Sequence, residues 1–149
     1  MKEIIEKEFG IVPIEIKKLN GYENINYLVK TKTKSFVFKT YPLSDSIFDL
    51  TQAENEALLF LQSNFADKTP KPIPFNDGSH TKNIEINGDI LTCRLLSFMT
   101  GEFIGDLKTG KEMSSSLGGF LANLDLTLMD FKNPILQSRK CEWDIQQLP

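Results

Sequence analysis

The sequence has 149 residues, enough for one ordinary domain or for one lobe plus part of another. Its 17 lysines and arginines against 20 aspartates and glutamates give a formal net charge of -3, which argues against a nucleic-acid partner. No segment approaches the roughly 18 consecutive apolar residues of a membrane span, and the charged, amphipathic N-terminus is no signal peptide. Cys93 and Cys141 lie far apart without metal-ligand spacing. We therefore expect a cytoplasmic protein with two reduced thiols.

The first hundred residues predict a short helix, three strands, a longer helix and two further strands. These elements are expected at 2–9, 14–19, 26–31, 35–41, 47–61, 83–86 and 89–96. Ser44 or Asp45 is the expected N-cap of the longer helix. Asn87-Gly88 lies between the last two apolar runs, and this dipeptide strongly predicts a tight hairpin. The prolines at 70, 72 and 74 exclude a helix before that hairpin and predict an extended segment.

After Gly101 the pattern changes to that of a helix with one apolar stripe. The stripe consists of Met113, Leu117, Phe120, Leu121, Leu124 and Leu128. Gly118 and Gly119 lower the intrinsic helix propensity but permit another element to approach closely. Because a contiguous apolar patch is rarely left in water on a soluble monomer, two arrangements are expected. Either a homodimer pairs the 111–129 helices, or this helix folds back on the preceding region.

Lys39 and Glu54 are the most informative pair of residues in the sequence. Lys39 lies in a short apolar strand, and Glu54 falls in the middle of the apolar stripe of the 47–61 helix. Glu56 falls on the opposite, solvated face. A carboxylate aimed at a core costs several kcal/mol unless it is paired, and Lys39 is the nearest cation in the expected architecture. The helix pattern alone supports a Lys39–Glu54 salt bridge and a glutamate that extends out of the helix edge about equally.

Three strands, a helix and two strands is the arrangement of a kinase amino-terminal lobe, and a series of short motifs accompanies it. The motifs are GYENINYLV (21–29), FVFK (36–39), EN (54–55), PIP (72–74), RLLSFMTG (94–101), LGGFLANLD (117–125), FKNP (131–134) and WD (143–144). In their order and spacing, the sequence resembles the aminoglycoside phosphotransferase-like kinases, most closely the hydroxylysine-kinase branch. Related lobes of that branch also occur fused to class III aminotransferases.

The resemblance implies an α+β fold in two parts. A kinase-like nucleotide-binding lobe over 1–100 would contain a five-stranded antiparallel sheet and one packed helix. The segment 101–149 would be the hinge exit and the start of a helical C-terminal lobe that is not complete in these residues.

The same resemblance implies an ATP site on the first lobe. Lys39 would position the phosphates, and Glu54 would hold Lys39 in a salt bridge that loosens without nucleotide, because the helix can rotate. Gly21, Asn24 and Asn26 would belong to the nucleotide-binding loop between the first two strands. The alternative for this loop is an Asx-rich hairpin turn with no ligand.

Adenine recognition would use the strand at 35–41 and the hinge at 96–101. Val37, on the same strand face as the lysine, would pack on the adenine, or else it is an ordinary core valine. The Ser97 carbonyl and the Met99 amide would bind the adenine edge, and Leu96 would limit access to the back of the pocket. The alternative for Phe98 and Met99 is ordinary packing.

The catalytic machinery of such kinases is not found in these 149 residues. It needs a His-x-Asp-x-x-x-x-Asn loop and a downstream aspartate that holds magnesium. His80, the sole histidine, precedes the hinge, and Asp130-Phe131 is followed by Lys132 with no catalytic loop before it. We therefore predict no catalytic residue and no metal ligand here, and we expect Mg²⁺ only with the C-terminal half of a kinase.

The sequence thus predicts the ATP-binding N-terminal part of a phosphotransferase, inactive by itself. Its substrate would be a hydroxyl group on a small, amine-bearing molecule. Two alternatives stay open: a non-catalytic nucleotide- or protein-binding module that retains the lobe, and a structural domain in which Lys39–Glu54 is only a buried ion pair.

Overall fold

A six-stranded antiparallel sheet lies at the centre of the protein in a computed structural model that describes residues 1–21 and 24–140. Its strands are β1 (Glu15–Leu19), β2 (Ile25–Lys30), β3 (Ser35–Pro42), β4 (Pro72–Ile73), β5 (Lys82–Ile86) and β6 (Asp89–Ser97). The strand order is β1-β2-β3-β6-β4. The last strand of this order, β4, pairs only with the end of β6, and β5 pairs with the beginning of β6. The five predicted strands are confirmed, and the proline-rich segment adds β4 as a sixth.

Four helices accompany the sheet. They are α1 (Lys2–Phe9), α2 (Asp45–Phe65), α3 (Lys111–Leu128) and α4 (Pro134–Ser138), and a 3-10 turn covers Ile104–Asp106. The long helix α2 extends beyond the predicted 47–61 at both ends. Its N-cap position is Ser44, one of the two predicted residues, but the Ser44 hydroxyl contacts the Ser46 hydroxyl at 2.8 Å and makes no capping hydrogen bond to the helix. None of the described helices is both long enough and apolar enough to cross a membrane.

The hairpin between β5 and β6 has the geometry that its sequence predicts. Asn87 and Gly88 have φ angles of 56° and 91°, and Ile86 and Asp89 are the register partners that flank them. Two consecutive left-handed residues match the twist of antiparallel strands, and asparagine and glycine tolerate this conformation best. The turn therefore sets the register with which β5 joins the sheet.

One face of the sheet forms the hydrophobic core together with α1 and the segment before β5. The buried core residues are Ile5, Phe9, Val29, Phe36, Phe38, Phe75, Ile84, Ile86, Cys93 and Leu95. Phe9 of α1 stacks on Phe75 with 4.3 Å between ring centroids, and Lys82 Nζ lies 2.7 Å from Glu8 Oε2. Burial raises the pKa of the free Cys93 thiol to about 12. Cys141 lies outside the described residues, as does the 143–144 motif.

Helix α3 occupies the predicted residues but is poorly covered. Phe120 makes an edge contact with Phe65 of α2, with ring centroids 5.8 Å apart, so α3 does fold back on the first lobe at one point. No residue of α3 is buried, and Leu117 and Leu121 are 41% and 47% exposed. Leu117 and Leu121 of the predicted apolar stripe therefore remain accessible to another surface, whereas its other four members are half-buried.

Candidate functional site

The sheet face opposite the core carries two rows of side chains that run across β2, β3 and β6. Register partners in antiparallel strands project to the same face, so the strand pairing defines both rows. The first row is apolar and consists of Leu28, Val37 and Leu96. The second row is polar and consists of Asn26, Lys39 and Arg94. Helix α2 packs beside the polar row and contributes Glu54 to it.

Glu54 is paired with two arginines and not with Lys39. Arg94 Nη2 donates to Glu54 Oε2 at 2.7 Å, and Arg139 Nη1 donates to Glu54 Oε1 at 3.1 Å. Within residues 1–21 and 24–140, no salt bridge joins Lys39 to Glu54. The predicted Lys39–Glu54 salt bridge is therefore wrong in this structure. The reason is that Arg94, the neighbour of Lys39 on β6, offers Glu54 a longer and planar cation that suits a carboxylate.

The predicted orientation of α2 is nevertheless confirmed. Glu54 is turned toward the sheet, where it contacts β6, and its side chain is only 29% exposed. Glu56 is exposed on the other side of the helix and accepts a hydrogen bond of 2.9 Å from Asn133 Nδ2. The apolar periodicity therefore identified which carboxylate needs a cation, although it misidentified the cation.

Arg94 is the site residue that sequence reasoning missed. It is only 5% exposed, and besides Glu54 it donates to Asn55 Oδ1 at 3.3 Å and to Tyr41 Oη at 2.9 Å. Asn55, buried in α2, donates to the His80 carbonyl at 2.8 Å and to Thr81 Oγ1 at 3.0 Å. This Arg94 network joins α2, β3, β6 and the loop before β5. One signal was available: Arg94 is the single charge in the apolar run from 90 to 96.

Lys39 is a half-buried cation beside a second cation. Burial lowers its pKa, the neighbouring Arg94 charge lowers the pKa further, and the Glu54 charge opposes both effects. The Lys39 ammonium also lies 6.0 Å from the centroid of the Tyr41 ring. The ammonium is thus held where it lacks a direct acidic partner in the described part of the chain. An anion placed there would relieve this unfavourable environment.

A cleft of about 260 Å³ opens between α2 and the polar row. Its lining residues are Asn24, Lys39, Tyr41, Pro42, Ile47, Leu50, Thr51, Glu54, Arg94 and Arg139. Among the charged side chains of this lining, three are cationic and one is acidic, so the cleft is electropositive. A second cleft of about 290 Å³ lies on the other side of Asn24 and Tyr41 and is bordered by Gly21.

Two described residues of the loop between β1 and β2, Gly21 and Asn24, border these clefts and approach each other closely. A Cβ atom on Gly21 would clash with the Asn24 carbonyl oxygen and would lie 2.7 Å from Asn26 Nδ2, so glycine permits the close approach. Asn26 Oδ1 is buried and has no hydrogen-bond partner among the described residues. Tyr22 and Glu23, at the tip of the predicted loop, lie outside them. The structure thus places Asn24 in the lining of both clefts, Gly21 in the lining of the second cleft only, and Asn26 beside Lys39 in the strand register. The contact of these three residues with a nucleotide stays a prediction.

The hinge segment contains backbone amides that no hydrogen bond engages within the described residues. The Ser97 amide donates to the Lys71 carbonyl at 2.8 Å, and the Phe98 amide donates to the Ser35 carbonyl at 3.1 Å. The Ser97 hydroxyl accepts from the Lys71 amide at 2.8 Å. In the described part of the chain no hydrogen bond engages the Met99 amide, and the Met99 side chain is 41% exposed. The hinge therefore offers a donor next to the apolar row, as adenine recognition requires.

Metal-binding groups are not found in the described part of the chain. No cluster of three or more histidines, cysteines, aspartates or glutamates there could hold a metal ion. His80 lies in the loop before β5, as predicted, and burial lowers its pKa. Its contribution to the Arg94 network is its backbone carbonyl and not its imidazole.

Comparison with known proteins supports a kinase relationship at low sequence identity. No family model matches the chain. Bovine (Bos taurus) hydroxylysine kinase is 23% identical over an alignment 168 residues long. The alignment spans 98% of this chain and 43% of that protein. The chain thus spans less than half the length of this curated relative.

Solved structures of small-molecule kinases share the fold. Amicoumacin kinase in complex with AMP-PNP, Ca²⁺ and its ligand Ami aligns with a TM-score of 0.74 at 16% identity over 97% of this chain and 44% of that one. Spectinomycin phosphotransferase in complex with ADP and spectinomycin aligns with a TM-score of 0.66 at 14% identity, over 95% of this chain and 41% of that one. A microcompartment-associated aminopropanol kinase aligns with a TM-score of 0.63 at 17% identity, over 87% of this chain and 40% of that one. The chain therefore has the fold of the amino-terminal lobe of aminoglycoside phosphotransferase-like small-molecule kinases, and it is similar in sequence to hydroxylysine kinase.

Proposed function

We propose that the chain is the ATP-binding N-terminal part of a phosphotransferase that phosphorylates a hydroxyl group of a small, amine-bearing molecule. The observation that carries this proposal is Lys39, a half-buried cation beside the Arg94 cation, without a salt bridge to the carboxylate of Glu54. A nucleotide phosphate is the type of anion that such an electropositive cleft would attract. The names of the similar proteins, hydroxylysine kinase and aminopropanol kinase, favour an acceptor with a hydroxyl and an amine.

The two rows of the sheet fit the two halves of ATP. Val37 and Leu96 of the apolar row suit the adenine ring, and the Met99 amide, three residues beyond Leu96 in the hinge, can donate to the adenine edge. The polar row lies two residues from the apolar row on each of the three strands, which suits the phosphates that follow the adenine and ribose. When bound, ATP would supply the phosphoryl group, and this lobe would orient it.

The residues described here bind and orient but do not complete the chemistry. No general base for the acceptor hydroxyl is assigned to them, and Mg²⁺ is expected only together with a catalytic loop and a metal-binding aspartate. The chain by itself is therefore proposed to bind nucleotide without turnover.

Calorimetric titration with ATP, ADP and adenosine tests this proposal. We expect ATP to bind at about the high micromolar to millimolar level, and adenosine more weakly because it lacks the phosphates. Lys39→Ala should abolish the preference for ATP over adenosine, whereas Lys34→Ala, an exposed lysine of the β2–β3 turn, should leave it unchanged. Equal binding of ATP and adenosine, unaffected by Lys39→Ala, would refute the phosphate role.

A further inference from the structure

Arg94 has two features that a purely structural arginine does not need. It lies beside Lys39 in the strand register, and it takes the carboxylate that Lys39 would otherwise bind. We propose that Arg94 is a positioning residue that holds Glu54, so that the Lys39 ammonium stays unpaired for a nucleotide phosphate. The assignment of the phosphate rests on the proposed function, whereas the choice of Arg94 as the partner of Glu54 does not.

The geometry gives Arg94 a fixed position before any ligand arrives. Its guanidinium is buried, and Tyr41 from β3 and Asn55 from α2 each accept a hydrogen bond from it. Asn55 is itself fixed through its two bonds to the loop at 80–81. A side chain held from several directions can hold Glu54 at 2.7 Å without rearranging, which is how supporting residues preorganise a site.

The charges around Lys39 explain what Arg94 does for it. The ionisable groups that face this ammonium are Arg94 from β6, Glu54 from α2 and Tyr41 from its own strand, and Arg139 lines the same cleft. Asn26, its register partner on β2, is neutral. With both arginines on Glu54, the carboxylate is occupied at both oxygens. Without Arg94, Lys39 becomes the nearest remaining strand cation, and Glu54 would then compete with a phosphate for it.

The protonation of Lys39 in the unmodified protein is the first test. Biosynthetic ¹³C labelling of lysines, with the Lys39 signal assigned by Lys39→Arg, allows its pKa to be followed by NMR. We expect a pKa below the ordinary value of about 10.4, since the ammonium is half-buried and unpaired. A pKa above that value would mean that Lys39 is salt-bridged to Glu54 and would overturn the proposal. This measurement needs no mutation at Arg94, so it stands even if Arg94 variants fail to fold.

Arg94→Met gives the second test, because it preserves much of the side-chain length and removes the charge. The pKa of Lys39 should rise in this variant, since a neighbouring cation is lost and Glu54 is released. ATP affinity should fall about tenfold, which corresponds to about 1.4 kcal/mol. In Arg94→Met with Glu54→Gln, most of that affinity should return because no carboxylate competes for Lys39.

The double variant separates positioning from mere support of the fold. If Arg94 only stabilises the lobe, the double variant binds ATP no better than Arg94→Met, and that result overturns the proposal. If the unmodified chain binds no ATP while the Lys39 pKa is below its ordinary value, the nucleotide function fails and the Arg94–Glu54 assignment stands. The two claims are thus distinguishable in one set of proteins.

Discussion

The two faces of the central sheet are built on opposite principles. The core face is filled by apolar side chains from α1, the strands and the segment before β5, and Phe38 and Leu95 at its centre are fully buried. The cleft face gathers Lys39, Arg94 and Glu54 around a space of about 260 Å³. The first face gains free energy from burial, and the second holds the half-buried Lys39 ammonium without a salt bridge to Glu54 in the described part of the chain. A face that folding alone leaves unsatisfied is where a ligand would bind.

The core face should respond to truncation with the largest loss of stability. Phe38→Ala should reduce the free energy of unfolding by about 3–5 kcal/mol, because a fully buried ring is replaced by a cavity. Urea denaturation measures this effect, and Phe103→Ala is the matched control because Phe103 is 82% exposed. Similar losses in the two variants would contradict the division of the sheet into a filled and an open face.

The Arg94 network should show an intermediate effect on the cleft face. Asn55→Ala should cost about 1–3 kcal/mol of stability, because it leaves the part-buried His80 carbonyl and the buried Arg94 Nη1 without their amide partner. Gln52→Ala, an exposed position of the same helix, is the control. Urea denaturation should find the loss only in Asn55→Ala, and equal stability of the two variants would show that the network is not energetically important.

A smaller effect is expected where α4 joins α2. The Asn133 side chain caps α4 by accepting from the Ile135 and Leu136 amides, and its Nδ2 donates to Glu56. Asn133→Ala should therefore cost about 1 kcal/mol. Asn133→Asp should retain the cap but place a carboxylate against Glu56. Any stability that this variant loses therefore reports on the interhelical contact and not on the cap. Thermal denaturation that ranks both variants equal to the unmodified protein would contradict this role.

Substitutions in the apolar stripe of α3 should have the smallest effect on stability. We propose that this stripe pairs with the same stripe of a second copy, because Leu117 and Leu121 remain exposed although α3 touches α2. Leu121→Glu with Leu124→Glu should convert a dimer to a monomer in light scattering, with little change in the stability of the lobe. A protein that is monomeric before substitution would show that α3 does not mediate self-association.

Local sequence signals predicted the fold well. The Asn87-Gly88 turn, the alternating strands and the phase of α2 depend on neighbouring residues, so they can be read from the chain itself. Strand β4 was missed as a strand because a two-residue element between prolines carries no periodicity of its own.

The partner of Glu54 could not be predicted in the same way. The helix showed that Glu54 needs a cation, but the choice between Lys39 and Arg94 depends on which strand lies beside β3 and on side-chain reach. Those are properties of the assembled sheet. The involvement of Arg139, far along the chain, was likewise invisible in any local pattern.

The central claim is that nucleotide phosphates bind at Lys39 on the open face of the sheet. An NMR titration with ADP of protein labelled at backbone amides and lysine side chains tests it most directly. We expect the Lys39 signal and the Met99 amide signal to shift together and to saturate at the same ADP concentration, while the signals of Phe38 and Leu95 on the core face stay unchanged. Saturable shifts confined to the separate cavity between Lys68 and Phe120, with no change at Lys39, would contradict the claim.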